Sequence, residues 1–168
     1  MIVLIRHPPL AVAPGICYGR RDLAIADPDS AASLADAARQ ALQGRTARIW
    51  TSPLRRCRTV ADAIGPNTAD ARLIEMDFGA WDGMAWDTIP RAALDAWAAD
   101  PLGFAPPGGE SGAALIARVA AFHAAMPGGD HAVVAHGGPL KVLEALLRGR
   151  PVDLLAHAPP LGSVTAIG

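Results

Sequence analysis

Short runs of apolar, β-branched-rich residues recur along the chain, and segments with helical periodicity separate them. The first run, 2–5, is apolar at every position, as is typical of a strand buried on both faces of a parallel sheet. Similar runs occupy 47–51, 131–135 and 164–167. This alternation predicts an α/β fold, a three-layer α/β/α sandwich with a mostly parallel central sheet.

The intervening segments predict helices over 29–43, 52–64, 111–126 and 139–148. Asp29 or Ser30 is expected to cap the first helix. The second is expected to begin with Ser52 as its N-cap and Pro53 in its first turn.

The middle of the chain has a less regular pattern. A short further strand is predicted at 71–74. The segment from about 84 to 109 contains Trp86 and Trp97 and has Pro- and Gly-rich ends, which predicts a helical, cap-like insertion. We assign residues 1–168 to a single domain that includes this insertion, because the chain has an ordinary single-domain length.

Composition excludes several classes of protein. The chain is 51% apolar and 18% charged with a net charge of −1, so it can bury a core, and nothing suggests a nucleic-acid or membrane-surface partner. Cys17 and Cys57 have neither metal-ligand nor disulfide spacing, which favours a reducing, cytoplasmic setting. No apolar run approaches the roughly 20 residues of a membrane span. The sequence leaves a homodimer open.

Three of the predicted strands end in similar polar residues. The first ends in Arg6-His7, the second leads through Ser52 to Arg56, and the strand 131–135 ends in His136-Gly137. Open α/β sheets bind ligands at the carboxyl ends of their strands, so these residues are expected to share one crevice. The Gly137-Gly138-Pro139 turn that leads into the next helix would add free backbone N–H groups.

These residue types suit a phosphate dianion better than a metal ion. Arg6 and Arg56 would repel a divalent cation but donate to phosphate oxygens. The clustered acidic ligands expected of a two-metal phosphatase are not seen at these strand ends. One histidine would then be free to attack phosphorus.

Five motifs in order resemble the histidine phosphatase superfamily, whose fold is phosphoglycerate-mutase-like. They are Leu4-Ile5-Arg6-His7, Ser52-Pro53-Leu54-Arg55-Arg56-Cys57, the segment 73–83 (LIEMDFGAWDG), Pro107-Gly108-Gly109-Glu110-Ser111 and Val134-Ala135-His136-Gly137. The resemblance covers nearly the whole chain.

The resemblance implies a phosphatase that acts on a small phosphomonoester without a metal or other cofactor. His7 would form a phosphohistidine, while Arg6, Arg56 and His136 would complete the phosphate pocket. Glu75 would protonate the leaving oxygen and later deprotonate the attacking water.

A finer resemblance concerns the branch of the superfamily. The stretch Cys17-Tyr18-Gly19-Arg20-x-Asp22 is similar to one in the cobalamin-pathway branch, which includes α-ribazole 5′-phosphate phosphatase. Arg20 is expected either to reach the substrate or to pair with Asp22. Pro8 stands where the family has glycine, so a backbone N–H that could contact phosphate is absent.

Two alternatives remain open. A phosphoglycerate-mutase-type phosphoryl transferase would use the same residues, although this chain leaves little room for substrate-gripping insertions. A non-catalytic phosphate-binding protein is the other alternative, prompted by Pro8.

Overall fold

The computed structural model describes residues 1–168 and centres on one five-stranded sheet. The strands are β1 (Ile2–Arg6), β2 (Ala47–Thr51), β3 (Asn67–Ala69), β4 (Asp130–Ala135) and β5 (Val164–Ile167). Their spatial order is β3-β2-β4-β1-β5. Neighbouring strands are parallel, except that β5 runs antiparallel to β1. The predicted α/β class with a mostly parallel sheet is therefore confirmed.

Helices cover both faces of the sheet. They are α1 (Asp29–Leu42), α2 (Arg55–Ile64), α3 (Arg91–Ala99), α4 (Gly112–Ala125) and α5 (Gly137–Leu147), with short 3₁₀ helices at Ala71–Leu73, Gly79–Trp81 and Trp86–Thr88. Helices α1 and α2 contribute to the core on one face, and α4 and α5 to the core on the other. None of the helices combines the length and apolar character that a membrane crossing requires.

Successive side chains of the buried strands point to opposite faces of the sheet, so each strand contributes to both cores. Val3 and Ile5 of β1 pack with α1 and α2, whereas Leu4 packs with α4 and α5. All three side chains are buried, which explains why β1 is apolar at every position.

The strand predicted at 71–74 is wrong. Residues Ala71–Leu73 form a 3₁₀ helix, and the strand β3 lies earlier, at Asn67–Ala69. The Asp70 side chain accepts a hydrogen bond from the backbone N–H of Arg72 (2.9 Å), and the two side chains also pair. This cap favours a helical turn over an extended conformation.

Three helix starts also differ from prediction. No side chain caps α1, and Pro28 occupies its N-cap position in place of Asp29 or Ser30. Helix α2 begins at Arg55, three residues after Ser52. Helix α5 begins at Gly137, two residues before the predicted start.

The segment 84–109 is only partly helical. It contains the short 3₁₀ turn and α3, and the rest is turns and extended backbone. Its apolar side chains form a cluster around buried Trp81, in which the Trp86 and Trp97 rings stack at 6.1 Å. The backbone N–H of Cys17 donates to the Met84 carbonyl and that of Trp86 donates to the Gly15 carbonyl, so the segment is tied to the loop after β1.

Candidate active site

The sheet register brings three strand ends to one edge. The carboxyl ends of β1, β4 and β2 lie side by side, and the next residues along the chain are His7, His136 and Ser52. The backbone N–H of His7 donates to the Ala135 carbonyl (3.3 Å), and that of Ser52 donates to the Val134 carbonyl (3.0 Å). The crevice predicted from the strand ends is therefore present.

The His7 imidazole is fully buried and has one unpartnered nitrogen. Its Nδ1 lies 2.8 Å from the Pro8 carbonyl oxygen, which can only accept, so Nδ1 carries the proton. Nε2 is then an acceptor, and it has no hydrogen-bond partner. Burial lowers the pKa of His7 to about 3, and the charges of Arg56 and Arg6 act in the same direction. The imidazole is thus neutral, with a free lone pair.

Pro8 lacks a backbone N–H, but its carbonyl group orients His7. Its carbonyl fixes the tautomer of the preceding histidine, as a backbone carbonyl does for many functional imidazoles. Replacement of the family's glycine at this position therefore leaves His7 with an oriented ring.

Arg6 and Arg56 are cations without a carboxylate partner. Neither guanidinium forms a salt bridge. Arg6 donates to the Pro159 carbonyl, but its buried Nε has no partner. Two unpaired cations beside a neutral His7 produce a positive field at the strand ends.

Arg56 is held rigidly although it is fully buried. Its Nε donates to Nδ1 of His136 (3.1 Å), and its terminal nitrogens donate to the carbonyls of Arg21 (2.6 Å) and Gly19 (2.7 Å). The Tyr18 ring lies 5.4 Å from the guanidinium carbon. These contacts use three of its five N–H donors and leave two.

The expected contact of His136 with phosphate stays a prediction, and both nitrogens of its ring have partners within the protein. Its Nδ1 accepts from Arg56, so Nε2 carries the proton and donates to the Ser52 hydroxyl at 2.7 Å. Burial lowers its pKa well below the usual value, and Arg56 adds to the effect. Because both ring nitrogens have protein partners, His136 orients Arg56 and offers no free N–H to a ligand here.

Glu75 lies against the start of α5. All its carboxylate hydrogen bonds go to Oε1, which accepts from the backbone N–H groups of Met76 (2.8 Å) and Gly138 (3.2 Å). Burial raises its pKa, so the carboxyl group is held nearer to its protonated form. An added Cβ on Gly138 would lie 2.6 Å from Oε1, so a larger residue there would displace the Glu75 carboxylate. At Gly137, an added Cβ would come within 3.1 Å of the Arg6 guanidinium.

The expected pairing of Arg20 with Asp22 is wrong, whereas its expected contact with the substrate stays a prediction. Arg20 does not pair with Asp22, whose carboxylate accepts instead from the backbone N–H of Arg55 (2.7 Å). It does not line the cavity described below either. Its guanidinium is engaged by Asp77, Glu110 and the carbonyl of Glu75.

Arg20 and Arg118 together form what we term the Glu110 clamp. Both guanidiniums donate to the backbone carbonyl of Glu75 (3.1 and 3.2 Å) and to Oε1 of Glu110 (3.2 and 2.7 Å). Sequence reasoning missed Arg118, which follows Glu110 by eight residues. That spacing corresponds to about two helical turns and was the only available signal.

A cavity of about 250 Å³ opens beside these groups. Arg6, Glu75, Gly137 and Gly138 line part of it, and the remaining walls are mainly apolar and aromatic. The fully buried His7 adjoins it through Arg6, its neighbour in the chain. No group of three or more His, Cys, Asp or Glu side chains is arranged to hold a metal ion.

Comparison with known proteins identifies the family to which the chain belongs. The family model "Histidine phosphatase superfamily (branch 1)" matches residues 2–168. The chain belongs to this superfamily. Its members include glucosyl-3-phosphoglycerate phosphatase of Mycolicibacterium vanbaalenii, which is 35% identical over 123 residues, 62% of this chain. The match spans 55% of that relative's length.

Solved structures of superfamily members have the same fold over nearly the whole chain. A mycobacterial glucosyl-3-phosphoglycerate phosphatase in complex with VO3 is 26% identical, with a TM-score of 0.79. Phosphoglycerate mutase from Thermus thermophilus is 28% identical, with a TM-score of 0.78. Each match covers 97% of this chain and 90% of the other. These relatives do not single out the cobalamin-pathway branch.

Proposed function

We propose that this protein is a metal-independent phosphomonoesterase that forms a phosphohistidine on Nε2 of His7. One observation carries the proposal. Among all buried side-chain nitrogen and oxygen atoms, three have no hydrogen-bond partner, and two of these are Nε2 of His7 and Nε of the adjacent Arg6. Phosphorus would satisfy the first and a phosphate oxygen the second.

In the first step, Nε2 of His7 attacks phosphorus, and the bond from phosphorus to the ester oxygen breaks. Arg6 and the two remaining N–H groups of Arg56 donate to the equatorial oxygens as charge develops. Glu75 gives its proton to the departing oxygen, so a neutral alcohol leaves. The raised pKa of Glu75 supports this role, because it favours the form that can donate.

In the second step, water attacks the phosphohistidine. Glu75, now ionised, takes a proton from the water, and the bond between phosphorus and Nε2 breaks. Inorganic phosphate leaves, and His7 and Glu75 return to their starting states. Because Nδ1 keeps its proton, the His7 ring departs as neutral imidazole and not as an imidazolate anion.

The names of the relatives and one sequence motif suggest different substrates. The Tyr18-Gly19-Arg20-x-Asp22 stretch supports α-ribazole 5′-phosphate. The Mycolicibacterium relative instead supports glucosyl-3-phosphoglycerate. The Thermus structure keeps a phosphoglycerate-mutase-type transfer as a second candidate function.

The test is turnover of a ³²P-labelled phosphomonoester in EDTA, in the presence of a sugar acid as a second acceptor. The reaction is quenched with alkaline denaturant, because acid would hydrolyse a phosphohistidine. We expect inorganic phosphate as product and an acid-labile, base-stable label on the protein. His123→Ala, a change on α4 near the amino ends of β1 and β4, serves as the matched control for His7→Ala. Transfer of label to the sugar acid would support the mutase, and absence of both label and turnover would exclude catalysis.

A further inference from the structure

The cavity beside Arg6 and Glu75 has aromatic walls that the proposed chemistry does not use. Trp86 and Trp97, both half-buried, line it with their rings parallel within 10°. Phe78 meets both rings edge-on, at 5.4 and 6.0 Å. Leu154 contributes to a further wall. A leaving group in this space therefore contacts flat, apolar surface.

Both cations in the same walls are already hydrogen-bonded to backbone carbonyls, which limits their pairing with a second anionic group. Arg6 and Lys141 are the only positively charged side chains that line the cavity. Lys141, the only lysine in the chain, donates from Nζ to the carbonyls of Leu154 (2.6 Å) and Ala156 (2.7 Å), and burial lowers its pKa. Arg6 is used by the phosphoryl group in the proposed mechanism.

We infer that the protein selects phosphomonoesters of uncharged alcohols that carry an aromatic ring, and that it discriminates against a carboxylate next to the ester. This inference rests on the proposed function. A ring gains contact with the aromatic walls. A carboxylate would be desolvated beside Glu75, and Lys141, the cation left for it, is already held by two backbone carbonyls. The selectivity is the opposite of what the word phosphoglycerate in the relatives' names suggests.

Three substrates with primary-alcohol leaving groups test the inference. Benzyl phosphate has an aromatic ring, glycerol 3-phosphate has neither ring nor charge, and 3-phosphoglycerate has a carboxylate. We expect kcat/KM for benzyl phosphate to be about tenfold above that for glycerol 3-phosphate and about 100-fold above that for 3-phosphoglycerate. Equal or better turnover of 3-phosphoglycerate would overturn the inference.

Two variants separate the contributions of the ring and the charge. Trp97→Leu should lower kcat/KM for benzyl phosphate about tenfold, mainly through KM, and affect glycerol 3-phosphate much less. Leu154→Arg should raise kcat/KM for 3-phosphoglycerate about tenfold by supplying a cation. Equal losses on both substrates in the first variant, or no gain in the second, would contradict the assigned walls.

The outcome also distinguishes this inference from the proposed function. If no phosphomonoester is hydrolysed and no phosphoprotein forms, the proposed function fails. If phosphoprotein forms and 3-phosphoglycerate is the preferred substrate, only the selectivity fails.

Discussion

His7 and His136 follow neighbouring strands, are both fully buried, and have ring centroids 5.2 Å apart. Burial lowers the pKa of both. Their hydrogen bonds differ, because His7 has one unpartnered nitrogen whereas both nitrogens of His136 have protein partners. The two residues therefore share their type, their burial and their place at a strand end. Only their hydrogen bonds distinguish His7, the proposed nucleophile, from His136, which positions Arg56.

The largest expected effect is that of His7→Gln. Glutamine is neutral and of similar size but cannot form the phosphorylated intermediate, so kcat should fall by about 10⁴-fold or more. Steady-state kinetics in EDTA measures this loss. A variant that retains a tenth of wild-type kcat would contradict the assignment of His7 as nucleophile.

The second-largest effect is expected at Glu75, the proposed general acid. Glu75→Gln should lower kcat/KM for benzyl phosphate by about 10³-fold and that for 4-nitrophenyl phosphate by only about tenfold, because kcat/KM reports the first step and nitrophenolate leaves without a proton. In the wild type, kcat/KM should fall as pH rises through the raised pKa of Glu75, since the protonated form is required. The Glu75→Gln variant should not show this fall of kcat/KM with rising pH. If the fall persists unchanged in the variant, another group must cause it.

A smaller effect is expected at His136. His136→Gln should lower kcat about 100-fold, since Arg56 loses a buried partner, yet phosphoprotein should still form. Rapid-quench measurement of the labelled protein tests this difference between the histidines. Complete loss of label, equal to that in the His7 variant, would remove the distinction.

The Glu110 clamp should matter less, because it acts on Glu75 through the backbone. Glu110→Gln should lower kcat about tenfold with little change in KM, while Glu110→Asp should recover part of the loss. Asp70→Asn is the matched control, because Asp70 pairs with Arg72 outside the cavity. Equal losses in the Glu110→Gln and Asp70→Asn variants would indicate a general structural effect.

The pH dependence of stability tests a property that the two histidines share. A folded-state pKa below the unfolded one gives stability that is present above the unfolded pKa and lost as pH falls. For His7, each pH unit between 6.5 and about 3 should lower the free energy of unfolding by about 1.4 kcal/mol. The free energy of unfolding, measured by urea titration from pH 7 to pH 4.5, should depend less steeply on pH in the His7→Gln and His136→Gln variants than in His123→Gln. Identical slopes would contradict the depressed pKa values.

Much of the fold was accessible from sequence because the apolar runs 2–5 and 132–135 form most of β1 and β4, and a polar residue follows each run. Helical periodicity likewise indicated the helices that cover the two faces. The strand at 71–74 was wrong because a local Asp70–Arg72 contact outweighed the apolar residues that follow. Pattern alone does not reveal such a contact.

The site was predictable as a set of residues but not as a set of contacts. The strand ends and motifs indicated His7, Arg6, Arg56, Glu75 and His136, which the structure brings to one edge. The partners of Arg20 lie 55 to 90 positions away in the chain, so no local spacing could indicate them. The bond from His136 to Ser52 spans 84 positions for the same reason.

The central claim is that Nε2 of His7 is the atom that receives the phosphoryl group. The most direct measurement is to trap the phosphoprotein by quenching during turnover, locate the phosphopeptide by mass spectrometry, and identify the isomer by its ³¹P chemical shift. We predict a single phosphohistidine at His7, substituted on Nε2, because the Pro8 carbonyl holds the proton on Nδ1. Phosphate on Nδ1 of His7, on His136, or on any other residue would contradict the account.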